Sequence, residues 1–269
     1  MEKLTKEFAK FNIDTFGICD AALYNNATNT DYKCCIVVLF PYFCGYKDKS
    51  NLSIYAHGAD YHLVTRRILT AVAENCGLSD YKVHADTGPY IERELAVSAG
   101  VAFMGRNGLC INPNYGSYFF IGYIVCNEDY EFSNPCQDAC MSCRLCVSSC
   151  PGGALSDGFC EDKCLSAITQ KKGELTIEET ELVRNHNTVF GCDICQRVCP
   201  HNRDISKTPI SDFSDNLITE LSYENIKDLS EREFKRIYAD RAFSWRGLKP
   251  ILRNLICQRG ESKNEDINT

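Results

Sequence analysis

The chain lacks the signals that would take it into or across a membrane. Its first residues, Met1-Glu2-Lys3-Leu4-Thr5-Lys6-Glu7, carry no apolar signal-peptide core. No apolar run is long enough to span a bilayer. An excess of positive charge is missing as well. The net charge is −7 and the pI about 5.3, which excludes a global electrostatic footprint for nucleic acid and leaves only a local basic patch for such a contact. No internal repeat is found apart from two related cysteine motifs. Hydrophobic content of 44% and charged content of 24% are ordinary for a globular chain. The 269 residues suffice for one sizeable core and a small appended domain. The expectation is a cytoplasmic monomer, in a compartment where thiols stay reduced.

What the chain has in excess is cysteine, 18 in all. Cys140-Met141-Ser142-Cys143-Arg144-Leu145-Cys146-Val147-Ser148-Ser149-Cys150-Pro151 is a C-x₂-C-x₂-C-x₃-C-P run, and Cys192-Asp193-Ile194-Cys195-Gln196-Arg197-Val198-Cys199-Pro200 is C-x₂-C-x₃-C-P. The first spacing is that of bacterial ferredoxins, in which the last cysteine of the run ligates the other cluster. Short gaps let three thiolates of one loop reach three irons. The fourth cysteine is expected to open a helix that leads away, with the proline ending the pairing. One 4Fe-4S cluster would take Cys140, Cys143, Cys146 and Cys199, and the other Cys192, Cys195, Cys150 and Cys164. Cys160 is the alternative to Cys164, and Cys136 is spare. Zinc sites use paired C-x₂-C units rather than such a run, and disulfides suit neither the spacing nor the compartment.

Along the chain, Leu4, Phe8 and Phe11 predict an N-terminal helix, and Phe16–Cys19 a short strand. Residues 25–31 look polar and turn-like. The apolar run Cys34–Phe40, ended by Pro41, reads as a buried central strand. Tyr61, Val64, Ile68, Leu69 and Val72 lie at helical spacing up to Gly77. A strand over 81–85 then delivers Asp86-Thr87-Gly88-Pro89 to the start of a helix over 91–99. An acid there is placed to face a cleft, or to act as an N-cap or Asx-turn residue. The loop Gly105-Arg106-Asn107-Gly108 could bring backbone close to a ligand, and 117–125 is a second buried strand. A helix over 174–190 spaces the cysteine motifs, 202–222 is looped, and further helices surround Phe234 and Leu252. Lys235, Arg236, Arg241, Arg246, Lys249, Arg253 and Arg259 gather there as a basic patch or a solvated helical face. Residues 260–269 look frayed.

These residues resemble a family. Asp86-Thr87-Gly88-Pro89-Tyr90-Ile91-Glu92-Arg93 is similar to the D-T-G-P-x-x-E-R segment of epoxyqueuosine reductases. So are Asp60-Tyr61-His62, Gly105-Arg106-Asn107, Leu109-Cys110-Ile111-Asn112, the stretch from Gly116 to Gly122, Phe190-Gly191 before the second cysteine motif, Arg246-Gly247 and Leu252-Arg253-Asn254. The resemblance implies an α+β fold. A nitroreductase-like cobalamin-binding domain would cover 1–130 and a ferredoxin-like domain with two 4Fe-4S clusters 131–212. A C-terminal helical segment would cover 213–269. It implies reduction of epoxyqueuosine in tRNA to queuosine, with Asp86 as proton donor. His62, Asp86, Arg106, Asn107, Cys110, Ser117, Ile121 and Gln196 would surround the cobalamin, and an external low-potential donor would supply electrons. The segment between Cys19 and Cys34 is shorter than the family insert. The chain also stops where the family continues into HEAT-like repeats that help hold tRNA, so it reads as a short form.

Reduction of an epoxide needs electrons and protons, which the clusters, a cobalt centre and an acid could provide. Burial against the cofactor is expected to raise the Asp86 pKa. Two other readings share the cysteine pattern: a reductive dehalogenase relative, and an electron-transfer or corrinoid-activating protein without turnover of its own.

Overall fold

The computed structural model describes residues 1–259; the expected frayed end lies outside the described residues. In chain order the first elements are α1 (Glu2–Ala9), β1 (Phe16–Asp20), α2 (Ala22–Thr28), β2 (Cys34–Pro41), α3 (Tyr61–Cys76), β3 (Lys82–Ala85), α4 (Glu92–Ser98), β4 (Phe103–Met104), β5 (Cys110–Ile111) and β6 (Phe119–Cys126). There follow α5 (Leu145–Ser148), α6 (Leu165–Gln170), α7 (Ile177–Arg184), α8 (Ile194–Arg197), α9 (Ser211–Ser214), α10 (Tyr223–Ile226), α11 (Glu231–Ile237) and α12 (Leu248–Arg259). The architecture is mixed α and β. No helix among the described residues is long and apolar enough to cross a membrane.

The chain packs as two units. The first contains Met1–Cys44, Tyr61–Cys143 and Cys199–Asp215; the second contains Gly45–Asp60, Arg144–Val198 and the residues from Asn216 onward. The expected cluster segment 131–212 therefore contributes to both.

The first unit is built on an antiparallel sheet in the order β1-β2-β6-β3. β2 and β6 lie in the middle, paired from Cys34↔Cys126 to Pro41↔Phe119. Their unbroken apolar character reflects cover on both faces. Cys35, Val37, Leu39, Tyr123 and Val125 pack with Leu95 and Ala96 of α4 and with Ala99 just after it. Side chains alternate across a strand, so the other face meets α3. A Cβ on Gly122 would come 2.8 Å from Leu69 and 3.2 Å from Phe40, which explains a glycine inside a central strand. Each fully buried Leu or Ile here contributes roughly 1.5–3 kcal/mol.

Two expectations fail here. Residues 25–31 are not all turn: α2 occupies Ala22–Thr28 and ends where Asn29 adopts φ 53°. Asn25 bonds both the carbonyl and the amide of Tyr32, so its polarity serves a tertiary contact. Phe11 lies beyond α1, which ends at Ala9.

The second unit centres on α12, with Phe190, Phe234, Phe243, Ile251 and Leu255 in its core. Asn254, fully buried, donates to the carbonyls of Thr169 at 2.7 Å and Val189 at 2.8 Å. Arg253 donates to Lys171 O and Gly173 O, both at 2.7 Å. These bonds hold the chain between Cys164 and Cys192. They also correct the basic face expected of the C-terminal helices. Arg253 and Arg241 are buried, and Arg241 donates to His57 O. The spacer helix is shorter than expected: α7 starts at a Thr176 capping box and ends at Arg184.

Candidate functional site

In the first unit, the end of β3 and the starts of α3 and α4 converge on Asp86. Its Oδ2 accepts from the Tyr61 hydroxyl at 2.8 Å and lies 3.0 Å from His62 Nε2. Tyr61 opens α3 and stacks nearly parallel on Phe120 of β6, centroids 4.1 Å apart, so its phenol has a fixed direction. Asp86 itself has φ 61°, the left-handed region that non-glycine residues seldom adopt. Its amide donates to Glu92 Oε1 at the start of α4.

The electrostatics differ from the expectation. The hydrogen bond from His62, with that from Tyr61, holds the Asp86 carboxyl below its ordinary value, although partial burial opposes this. More than half of the side chain, 55%, is exposed. The raised carboxyl is Glu92 instead, pushed up to about 7 by burial, with the charge of Asp86 adding to the effect. The sequence placed a role on Asp86 and His62 but not on Tyr61, whose spacing read as core, nor on Glu92. The D-Y-H and D-T-G-P-x-x-E-R matches were the only signal for either.

The glycine loop adjoins α4: Arg93 Nη1 donates to Gly108 O. Within the loop, Asn107 is buried and its Nδ2 has no hydrogen-bond partner among the described residues. An orphaned buried amide is costly unless a ligand satisfies it, so this residue fits a contact to a polar cofactor group. Arg106 beside it is exposed, and Ile121 is half-buried on β6. Ser117 is buried and already engaged: its N–H donates to Asn202 Oδ1 at 2.7 Å, and Asn202 Nδ2 donates to its hydroxyl at 2.9 Å. Cys110 is a core thiol, pushed up to about 11 by burial and set toward Arg93 O. Gln196 is buried on α8 of the second unit.

The predicted cluster ligands fall in both units. Cys140, Cys143 and Cys199 belong to the first, and Cys146, Cys150, Cys164, Cys192 and Cys195 to the second. In the second unit α5 and α8, the short helices of the two motifs, pack together. Cys150 does not open a helix as expected; it follows α5, its N–H bonded to Val147 O. Burial pushes the Cys192 thiol up to about 11, and neighbouring Asp193, Cys164 and Cys150 add to the rise. Cys150, Cys164 and Cys192 are thus close in space. Cys160 is exposed.

Close packing explains the approach of Cys164. A Cβ on Gly152 would sit 2.0 Å from Lys163 O, so only glycine admits the 3-10 turn Glu161–Lys163 before Cys164. Open space of about 650 Å³ adjoins Cys164, and about 260 Å³ adjoins Cys192, with Lys47 and Arg197 among its walls. Cys140, Cys143, Cys150, Cys164 and Cys192 form no disulfide. Among the described residues no three His, Cys, Asp or Glu side chains converge on a single metal ion. The spacing of the cysteines along the chain fits a polynuclear cluster better than one zinc. Asp193, between two of these cysteines, was missed by the sequence reading. It is buried, bonds the Ser53 hydroxyl, and accepts the Ile54 amide at 2.9 Å, fixing the second motif to the segment 50–56.

Residues 139–202 match a 4Fe-4S double cluster binding domain. The chain is 37% identical over 214 residues to the epoxyqueuosine reductase of Lactococcus garvieae, covering 77% of this chain and 60% of that protein. The chain spans little more than half the length of the curated relatives it matches. Its fold aligns with epoxyqueuosine reductase from Bacillus subtilis, solved with a catalytic aspartate loop swung out of the active site, at TM-score 0.82 and 25% identity over 96% of this chain and 80% of that one. An epoxyqueuosine reductase solved with an epoxyqueuosine-modified tRNA-Tyr stem loop aligns at TM-score 0.81 and 26% identity, with the same coverage. By sequence and by fold the chain is similar to epoxyqueuosine reductases along most of its length.

Proposed function

We propose that this chain reduces epoxyqueuosine in tRNA to queuosine, using two 4Fe-4S clusters and cobalamin, with Asp86 as the proton donor. The observation that carries this reading is the Asp86 carboxyl held by Tyr61 and His62 beside a loop with an unsatisfied buried amide. The similarity of the chain to epoxyqueuosine reductases supports it. Cys140, Cys143, Cys146 and Cys199 would hold one cluster, and Cys150, Cys164, Cys192 and Cys195 the other. Cobalamin would meet the Asn107 amide and Arg106. The segments 1–130, 131–212 and 213 onward would serve cofactor binding, electron entry and RNA contact. The cobalamin domain would be nitroreductase-like and the cluster segment ferredoxin-like. When bound, cobalamin supplies a strongly reducing cobalt centre, and the clusters supply single electrons from an external low-potential donor.

Converting an epoxide to an alkene consumes two electrons and two protons and releases water. The chain's own task is the proton. Asp86 stands at the end of β3, with Tyr61 and His62 orienting Oδ2. As the structure stands, His62 keeps the carboxyl ionised. Excluding water from its exposed half raises its pKa toward that of a useful acid. His62, in contact with both Asp86 and the half-open surface, then serves to return the proton lost at each turnover. RNA would be met by the basic residues that remain on the surface of the second unit. Among them, Arg246 lies 3.7 Å over the ring of Trp245, itself 55% exposed, and such pairs suit stacking on an unpaired base.

The test is anaerobic turnover by protein reconstituted with iron, sulfide and cobalamin. It uses a strong chemical reductant and an epoxyqueuosine-bearing RNA stem loop. Mass spectrometry should show loss of one oxygen atom from the modified base. Full cluster loading with no conversion would overturn the reading and leave an electron carrier in its place.

A further inference from the structure

Asp86 carries its carboxyl on a left-handed backbone turn, φ 61°, that an L-residue adopts only at a cost. Few bonds hold that turn. Thr87 N–H returns to Ala85 O at 2.7 Å. Gly88 lies so close to Tyr123 that a Cβ would sit 2.2 Å from its hydroxyl. Tyr61 and His62 hold the Asp86 carboxylate, and the anchor on its backbone amide is Glu92. It is the first residue of α4, whose N-cap Ile91 offers no side-chain cap. An acid at that position ordinarily serves its own helix end. Here the side chain turns back, and Oε1 takes the Asp86 amide.

We propose that Glu92 is the positioning residue of the Asp86 turn, holding the left-handed backbone in place by accepting the Asp86 amide. The inference rests on the reading of Asp86 as the proton donor. Two carboxylates so close would repel one another. Burial keeps Glu92 protonated up to about pH 7, so it accepts the amide without adding a second full charge beside Asp86. The groups facing Glu92 are consistent with this arrangement. The hydrogen bond from the Asp86 amide lowers its pKa, the Asp86 charge raises it, and His62 lowers it, with burial outweighing them; Tyr123 is pushed upward, chiefly by burial and then by Glu92. Arg93, next in sequence, is turned to Gly108 O and does not neutralise it. A neutral glutamic acid has the shape and the acceptor of glutamine, which supplies the test.

Glu92→Gln and Glu92→Ala are compared with the parent as cluster-loaded protein, with iron content and helix content as controls. Hydrogen–deuterium exchange is read at the Asp86 amide from overlapping peptides. Turnover of the RNA stem loop is read as kcat and KM. In the alanine variant, exchange should accelerate about tenfold or more. Its kcat should fall by a similar factor with KM little changed. The glutamine variant should stay within about threefold of the parent on both counts. Parent-like exchange or parent-like kcat in the alanine variant would overturn the proposal, and so would a glutamine variant as impaired as alanine. If the parent itself converts no RNA, the proposed function fails, while the exchange arm still decides whether Glu92 holds the turn.

Discussion

Two carboxyls a few residues apart have been pushed in opposite directions. Asp86 has two donors and an open side, and lies below its ordinary value. Glu92 is half-buried, has an amide to accept, and is raised from 4.5 to about 7. The folded chain therefore binds a proton at Glu92 that the unfolded chain has released. This contribution to stability is complete below 4.5 and is lost as pH rises through about 7. Glutamine cannot ionise. The stability of Glu92→Gln relative to the parent should therefore rise with pH across that window. The gain should plateau on the order of 2 kcal/mol above about pH 8. Thermal unfolding of both proteins over that range checks it; parallel curves would contradict the burial of Glu92. Neither effect was legible in the sequence. Pattern reading finds acids at helix starts, but whether one turns back to a loop depends on tertiary closure.

At the scale of elements, the cysteine motifs impose demands on their neighbours. Gly152 has no room for a side chain, because Lys163 O occupies the place of its Cβ. Gly152→Ala should push Cys164 away from Cys150 and Cys192. One cluster should be lost with about half of the bound iron, while the other remains. Unchanged iron and an unchanged visible spectrum would exclude Cys164 as the remote ligand. The spacing of cysteines, the two apolar strands β2 and β6 and the long amphipathic α3 could all be read from sequence, since each is a local pattern with one dominant period. α2 could not, because its asparagines look like turn formers until Asn25 is seen bonding Tyr32. Arg253 read as part of a basic patch or solvated helical face, and Asn254 only as part of a family match. They are in fact buried clamps on the carbonyls of Lys171, Gly173, Thr169 and Val189, a role that no periodicity announces.

For the whole molecule, a net charge of −7 opposes RNA binding at long range, so any docking surface must act locally. Burial removes Arg241 and Arg253 from that surface. Arg259 pairs with Glu224, and Lys235 lies near Glu231. Of the seven basic residues gathered in this segment, Arg236, Arg246 and Lys249 remain for phosphate contacts. Affinity for the stem loop should fall with salt at a shallow slope, roughly 0.7 log units per contact for single-stranded RNA. Removing one of the remaining cations, as in Lys249→Ala, should flatten the slope by about one contact. Binding measured across a salt series gives both numbers, and a slope untouched by that substitution would place the RNA elsewhere.

The proposed function has a redox centre working with Asp86 as its acid. The most direct measurement compares Asp86→Asn with the parent in the anaerobic stem-loop assay, after iron content and cofactor spectrum have been matched. The variant should keep its clusters and its cobalamin, and its conversion rate should fall about a hundredfold or more. Conversion at the parent rate with matched cofactors would contradict the account.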